Sequence, residues 1–263
     1  GSATLSTERQ SVTLIYIDST QGWLDIHDST SDVVGPLYVT ATGGSPCSGA
    51  IVCTNYKVHT SCAGATSGDY KIHTFTGPGT LTVSCGGNAF GNDKIDYLVV
   101  AGGGSGATYV SGTASSAGGG GAGGFRESVP SPAAWTASPI ASPGGALPVT
   151  ATPYPIAVGG GGAAAGPGAP VTGIKGNDSS FSTITSTGGG FGGNGPTPPT
   201  NRVGGPGGSG GGGGGGESDI AAGTGNDPPT SPAQGFDGGD AGCGPGGPKF
   251  GSGGGGGATE AGV

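Results

Sequence analysis

Glycine is the residue that most restricts how this chain can fold. It makes up 67 of the 263 residues, and its long runs lie after residue 100, at 102–104, 118–121, 159–162, 188–190, 210–216 and 253–257. A segment with so few side chains cannot bury an ordinary apolar core, and glycine loses more backbone freedom on ordering than any other residue. If this half of the chain is ordered, backbone packing and backbone hydrogen bonds must hold it together.

Glycine tracts of this kind can adopt the left-handed polyproline-II-like helix, which has three residues per turn and rises about 3.1 Å per residue. One such helix makes no internal hydrogen bonds, but helices packed side by side can satisfy one another's N–H and C=O groups. We therefore predict a bundle of parallel and antiparallel polyglycine-II helices over residues 102–263, with short insertions emerging as loops at its ends. No window combines a 3.6-residue period with freedom from Gly and Pro, so no α-helix is predicted.

The first hundred residues have the composition of β-strands. Residues 11–17, 22–26 and 36–40 predict three strands in a segment 1–45, which is too small for its own core and is expected to attach or trimerise the protein. Residues 46–101 repeat one strand-like motif at 56–60 and 70–74 and end in the apolar run 94–101, which is typical of a β-sandwich. Further strands are predicted at 154–158 and 181–187. The predicted fold is all-β: a short N-terminal β region and β-sandwich strands that lead into the polyglycine-II bundle.

Composition excludes several classes of function. Gly and Pro together form about a third of the chain, a proportion often found in disordered segments, but the low charge and the apolar residues throughout favour order. The eight Lys and Arg residues are never clustered, so no nucleic-acid partner is expected. No apolar run approaches the roughly 18 residues of a membrane span, so no membrane insertion is expected. The absence of Met predicts a processed chain or a piece of a longer one.

Five cysteines are present, which leaves at least one thiol free or intermolecular. Their spacing does not match a zinc site, so no metal is predicted. Cys47 and Cys53 could close a small loop, and Cys62 could reach Cys85 across a hairpin.

Motifs with chemical meaning are weak in this chain. The Gly-x-Gly pattern at 102–106 follows a strand, but no helix follows it to hold a phosphate, so no nucleotide cofactor is predicted. Gly-Asn-Asp occurs at 91–93, 176–178 and 225–227 without the nine-residue period of a calcium β-roll, which favours Asn/Asp turns. No Ser/His/Asp or Cys/His arrangement stands out, so we predict no catalytic residues and no enzyme.

Segments 71–80, 96–104, 118–125, 154–160, 181–190 and 225–235 resemble the glycine-rich domain of fibre and structural proteins of tailed phages, in particular cyanophages and marine phages. A related polyglycine sandwich, with loops that touch the host, is found in some phage adhesin tips. A more distant resemblance is to the glycine-rich region of certain receptor tyrosine kinase ectodomains. The Gly-Pro-Gly interruption at 166–168 and the short insertions depart from the adhesin pattern and argue against a large set of receptor-binding loops.

The resemblance implies an extracellular virion component, trimeric and partnered by other tail proteins, whose distal module contacts the host surface. The alternative is an architectural virion protein without a receptor role: a fibre shaft, an adaptor or a capsid-surface fibre. An ice-binding or cell-wall protein would fit the glycine content but not the β-strands.

Aromatic side chains cannot enter the interior of a glycine bundle, so they must lie at its edges. There they either seal the bundle or, where they lie in loops, contact a host glycan or protein. The candidates are Tyr109, Phe125, Trp135 and Phe236.

Overall fold

The structure is a computed structural model. It describes residues 12–18, 22–28, 39–42, 65–67, 70–87, 92–108, 116–130, 133, 135–164, 166, 171–195, 202–216, 219–242 and 251–263. The predicted strand at 56–60 lies outside these residues. The described part contains β-strands and polyglycine tracts and no α-helix, which confirms the all-β prediction.

The two N-terminal strands form an antiparallel hairpin. Strand β1 (Val12–Asp18) pairs with β2 (Gly22–Asp28), close to the predicted positions of both strands. Neither strand pairs with any other described strand. A two-stranded sheet alone is at best marginally stable in water.

A five-stranded antiparallel sheet holds the apolar core. Its spatial order is β14 (Ile184–Ser186), β13 (Ser179–Phe181), β12 (Pro153–Ala157), β6 (Gly79–Gly86) and β3 (Val39–Thr42). Alternate residues of β6 are buried because successive side chains point to opposite faces of a strand. The core cluster comprises Ala41, Leu81, Val83, Val99, Val149 and Phe181. The strands of this sheet come from all three predicted segments, so the sheet crosses the domain boundaries predicted after residues 45 and 101. Those domain boundaries stay predictions.

Besides the N-terminal hairpin, three smaller sheets accompany the five-stranded sheet. Strand β4 (Ala65–Ser67) pairs with β5 (Tyr70–Ile72), and β7 (Lys94–Ile95) pairs with β11 (Leu147–Pro148). Strand β8 (Leu98–Val100) is antiparallel to β9 (Phe125–Val129), which in turn pairs in parallel with β10 (Ser142–Pro143). The buried hydroxyl of Ser186 donates to the Val99 carbonyl at 2.7 Å and so joins this last sheet to the main one.

Two predicted strands are broken in the structure, and the prediction of continuous strands was wrong there. The run 94–101 divides at Asp96–Tyr97 because the Ser128 hydroxyl intervenes: it accepts from the Tyr97 N–H at 2.9 Å and donates to the Asp96 carboxylate at 2.8 Å. The run 181–187 is a hairpin, since Ser182 has a φ of 54° and turns the chain between β13 and β14.

Beyond residue 100 the glycine runs form extended tracts that bond side by side. They cover residues 101–108 (tract 1), 116–124 (tract 2), 158–164 (tract 3), 171–177 (tract 4), 187–195 (tract 5), 202–205 (tract 6), 207–216 (tract 7), 220–225 (tract 8), 234–242 (tract 9) and 251–257 (tract 10). Most of the inter-tract hydrogen bonds join one backbone to another, with N···O distances near 2.9 Å.

The bonds of tract 1 repeat every three residues. The N–H groups of Ala101, Gly104 and Ala107 donate to Gly124, Gly121 and Gly118 of tract 2. The N–H groups of Gly102, Ser105 and Thr108 donate instead to Asn177, Ile174 and Val171 of tract 4. Such a period matches the three residues per turn of the polyproline-II helix, and it differs from the period of two in a β-strand.

Tract 7 lies at the centre of the bundle. All ten of its residues are buried, and every N–H from Gly207 to Gly214 donates to a neighbouring tract. Its partners are tracts 2, 5, 6, 8, 9 and 10, as expected for a helix surrounded by six others. The neighbours of each tract define three layers: tracts 3, 1, 2 and 10; then tracts 4, 5, 7 and 9; then tracts 6 and 8.

Glycine is required where tracts approach closely. A Cβ added at Gly190 would overlap the Gly205 carbonyl oxygen and lie 2.8 Å from its carbon. Backbone atoms of a hydrogen-bonded tract cannot move aside without breaking their own bonds, so these contacts exclude every side chain.

Polar side chains hold the turn at 226–233 against the start of tract 5. Gln234 is 0% exposed; its Oε1 accepts from the Thr187 N–H at 2.8 Å, and its Nε2 donates to the Pro228 carbonyl at 3.0 Å. Asn226 has a φ of 50°, and its Oδ1 accepts from the Thr230 N–H at 3.0 Å and from the Gln234 N–H at 3.2 Å. The third Gly-Asn-Asp motif, at 225–227, is thus an Asn turn, as the sequence favoured.

Candidate functional site at the open end of the bundle

The two ends of the polyglycine bundle differ. At one end, which we call the β end, tracts 1, 2, 3, 4 and 5 run directly into or out of strands β8, β9, β12, β13 and β14. The turn at 226–233 closes tracts 8 and 9 at the same end, where Asn226 and Asp227 donate to Gly208 and Gly207. The β end is therefore covered by folded chain.

The opposite end, which we call the open end, is formed by the other termini of the tracts. Described residues there are joined by direct contacts: the Thr108 N–H donates to the Val171 carbonyl at 3.0 Å, and the Gly214 N–H donates to the Arg202 carbonyl at 2.7 Å. Ile220 and Ala241 form an antiparallel bridge. An open hollow on this end is lined by Ala107, Thr108, Ser116, Ala117 and Ser252.

Five connections of the chain start and finish at the open end. They are 109–115, 165–170, 196–201, 217–219 and 243–250, and nearly all of their residues lie outside the described part. Each connection links two tracts that run in opposite directions, and the described termini of both tracts lie at this end. The prediction that insertions leave the bundle at its ends is consistent with this arrangement.

Two polar side chains at the open end have atoms without a partner. Asn194 is 3% exposed, and its Oδ1 accepts no hydrogen bond. Arg202 is half-buried, and its Nε donates none. Both residues adjoin the last turn of tract 7: a Cβ on Gly214 would lie 2.6 Å from the Asn194 carbonyl carbon, and one on Gly216 would lie 2.7 Å from the Arg202 guanidinium carbon.

The predicted aromatic contact residues do not gather at the open end. Phe125 begins β9 at the β end, where its N–H donates to the Gln234 carbonyl at 2.8 Å. Phe236 lies two residues further along tract 9 and is 36% exposed. Trp135 is 39% exposed, and its indole N–H donates to the Glu127 carboxylate at 3.3 Å. Tyr109 directly follows Thr108 of the open end and lies outside the described residues, so a receptor-contact role for these residues stays a prediction.

The predicted cysteine, metal and membrane features fall partly on the described residues. Cys85 is buried and disulfide-bonded, while Cys47, Cys53, Cys62 and Cys243 lie outside the described residues, so the predicted pairings stay predictions. In the part of the chain that is described, no three His, Cys, Asp or Glu side chains are grouped to hold a metal ion. No helix among the described residues has the length and apolarity needed to cross a bilayer.

Sequence reasoning did not identify Asn194 and Arg202, because neither belongs to a recognisable motif. The importance of Gln234 and Asn226 could have been inferred, since both lie in the unusual segment 225–235 on which the resemblance rests.

Comparison with known proteins places the chain in one family. Residues 74–263 match the family model described as a glycine-rich domain, and this match covers well over half of the sequence. The chain therefore belongs to the glycine-rich domain family. No curated protein and no solved structure matches it.

Proposed function

We propose that this member of the glycine-rich domain family is a structural component of a phage tail fibre, and that its distal module contacts the host cell surface. The single observation that supports this proposal is the collection of five chain connections at one end of a bundle whose core is backbone. Binding residues are commonly carried on loops that a rigid scaffold positions. The open end provides such a scaffold, since the tract termini beneath the connections are tied to one another by hydrogen bonds.

The N-terminal hairpin is the proposed attachment and trimerisation element. Strands β1 and β2 pair only with each other among the described strands, and an isolated hairpin needs another surface to pack on. Copies of the same hairpin in a homotrimer, or another tail protein, provide that surface. Analytical ultracentrifugation of the purified full chain tests this proposal: three copies per particle are expected, and a monomer at micromolar concentration would contradict it.

The receptor role is tested by adsorption. Purified full chain is incubated with cells that are sensitive to the phage from which the gene is taken, and adsorption of the phage is then measured. We expect the chain to bind the cells and to compete with the phage, and we expect no binding to phage-resistant cells that lack the receptor.

Two variants at opposite ends of the bundle provide a matched comparison. Tyr109→Ala alters a connection at the open end and is expected to weaken adsorption. Trp135→Ala alters an exposed aromatic at the β end and is expected to leave it unchanged. Loss of adsorption in Trp135→Ala alone would place the contact surface at the β end instead.

The second candidate function is architectural, without a receptor role. Phe125, Trp135 and Phe236 lie away from the open end, and this favours the architectural function. Three of the four aromatic candidates then seal the junction of the sheet and the bundle and contact no receptor. A trimeric chain that neither binds cells nor competes with the phage would support this function over the first.

A further inference from the structure

The outer layer of the bundle, formed by tracts 3, 1, 2 and 10, has backbone groups on its outward face that pair with no described residue. In tract 2 the N–H groups of Gly118 and Gly121 donate to tract 5. Those of Gly119 and Ala122 donate to tract 10. The N–H of Gly120 donates to no described group. Because a polyproline-II-like helix presents its residues in three directions that repeat with every turn, this N–H is left for the outward side.

Tract 1 has unpaired carbonyl groups for the same reason. The carbonyls of Gly102 and Ser105 accept from tract 5, and that of Gly103 accepts from tract 3. No described N–H donates to the carbonyl of Gly104. This acceptor lies beside the unpaired donor of tract 2, because a Cβ added to Gly120 would overlap the Gly104 oxygen. The groove between tracts 1 and 2, which we call the outer groove, therefore presents both a donor and an acceptor.

Side chains are missing from the outer groove at two positions that have room for them. A Cβ on Gly103 would come no closer than 3.5 Å to any neighbouring atom, and one on Gly106 no closer than 3.4 Å. Each would lie 3.9 Å from a nitrogen of tract 2, and so above the groove. Alanine at such positions would lower the entropy of the unfolded chain and stabilise the fold. The fold itself therefore does not require these two glycines, whereas the close approach of another backbone does.

Exposed apolar side chains lie where the outer groove meets the sheet. Strand β8 leads directly into tract 1, and its Leu98 and Val100 are 60% and 48% exposed. Val99 between them is buried in the core cluster, so Leu98 and Val100 lie on the side of β8 that faces away from the core. At its other end the groove leads to the hollow beside Thr108 and Ser116. The groove thus has an apolar end and a backbone-lined middle.

We propose that the outer groove binds an extended glycine-rich segment of a neighbouring virion protein, which adds a further polyglycine-II tract to the bundle. The segment supplies an acceptor for the Gly120 N–H and a donor for the Gly104 carbonyl, and its own three-residue period matches that of the groove. Apolar residues at the end of the segment next to the sheet pack on Leu98 and Val100.

This mode of binding corresponds to the addition of an extended peptide to the exposed edge of a β-sheet. Glycine is required in the segment, because a Cβ on Gly120 or Gly123 already overlaps the backbone of the neighbouring tract. The inference goes beyond the proposed function, since it describes a second contact surface away from the open end. It rests on the proposed function only in placing the partner in the virion.

Fluorescence anisotropy of labelled peptides with the full chain tests the outer groove. The probe copies residues 154–163, in which a strand with apolar residues is followed by four glycines. The matched control peptide has serine in place of the four glycines. Overpacking at such contacts corresponds to a loss of affinity of roughly ten- to a hundredfold. We expect the glycine peptide to bind at least about tenfold more tightly than the serine peptide.

Two leucine variants locate the binding site. Gly103→Leu places a side chain over the outer groove and is expected to weaken binding of the glycine peptide at least about tenfold. It is not expected to lower the melting temperature, because its Cβ has room within the chain. Gly160→Leu is the control: it lies in edge tract 3, where a Cβ would meet nothing closer than 4.0 Å, and it is expected to bind the peptide as the wild type does.

Equal binding of the two peptides, or no binding of either at about millimolar concentration, would overturn the proposal. So would unchanged binding by a folded Gly103→Leu variant. If Gly103→Leu does not fold, amide hydrogen exchange in the wild-type chain decides the matter. The Gly120 amide is expected to exchange more slowly when the glycine peptide is bound, and an unchanged rate would contradict the proposal.

The adsorption assay separates this inference from the proposed function. Gly103→Leu is expected to adsorb to cells as the wild type does, because the outer groove is not the open end. A chain that adsorbs to cells but does not distinguish the two peptides removes only this inference. A chain that prefers the glycine peptide but does not adsorb removes only the receptor role.

Discussion

Replacing glycine by alanine is expected to have opposite effects at two positions of the bundle. Gly210 lies in the middle of tract 7; its N–H donates to Phe236 at 2.9 Å, and its carbonyl accepts from Gly256 at 2.8 Å. A Cβ there would overlap the Gly223 carbonyl oxygen and lie 2.9 Å from the Gly238 nitrogen. Gly160 lies in the edge tract 3, where a Cβ would meet nothing closer than the Asn177 amide nitrogen at 4.0 Å.

The magnitudes follow from these contacts. Overpacking a close-packed interior costs about 1–3 kcal/mol, and one broken backbone hydrogen bond costs about 1 kcal/mol more. Alanine lowers the entropy of the unfolded chain, which contributes about 0.4–1 kcal/mol of stability at either position. Gly210→Ala is therefore expected to lose about 1–3 kcal/mol, whereas Gly160→Ala gains about 0.4–1 kcal/mol.

Differential scanning calorimetry of the full chain measures both changes. At about 2–4 °C per kcal/mol for a domain of this size, Gly210→Ala should melt roughly 2–12 °C lower and Gly160→Ala roughly 1–4 °C higher than the wild-type chain. Gly103→Ala, at another outward position, is a second control, because its Cβ would lie 3.5 Å from the nearest atom. A Gly210→Ala variant as stable as the wild type would refute the argument that backbone contacts form the core.

Two further predictions concern the junction of sheet and bundle. Gln234→Ala leaves the Thr187 N–H without an acceptor and opens a cavity, so it should lower the free energy of unfolding by about 2–4 kcal/mol in urea titrations; an effect below 0.5 kcal/mol would contradict the role given to Gln234. Asn226→Gly and Asn226→Ala both remove the acceptor of three hydrogen bonds, but only alanine is strained at a φ of 50°. Asn226→Ala should therefore be the less stable of the two by about 1 kcal/mol, and equal stability would argue against the left-handed turn.

Much of this fold could be predicted from local sequence. The segments that form β1, β2 and β12 contain β-branched and aromatic residues, which favour strands. The glycine tracts have no side chains to pack, so only hydrogen bonds between backbones could form their core. The breaks at Asp96–Tyr97 and Ser182 could not be predicted, because one depends on the distant Ser128 hydroxyl and the other on a left-handed serine.

The candidate site was less predictable than the fold. Its position depends on the order in which the tracts pair, and glycine runs of nearly identical sequence contain no information on that order. Asn194 and Arg202 are separated by a proline-rich connection, and their proximity follows only from the packing of tracts 5 and 6 on tract 7. The sequence drew attention to aromatic residues, yet the described side chains with unmet buried polar atoms are Ser138, Asn194 and Arg202, none of which belongs to a motif.

Amide hydrogen exchange, followed residue by residue in the native chain, tests the central claim most directly. Slow exchange is expected for every amide from Gly207 to Gly214, since each donates to a neighbouring tract. In tract 1 a period of three is expected: slow exchange at 101, 102, 104, 105, 107 and 108, and fast exchange at Gly103 and Gly106, which donate to no described group. Fast exchange throughout both tracts, or alternation with a period of two, would contradict a hydrogen-bonded polyglycine-II bundle.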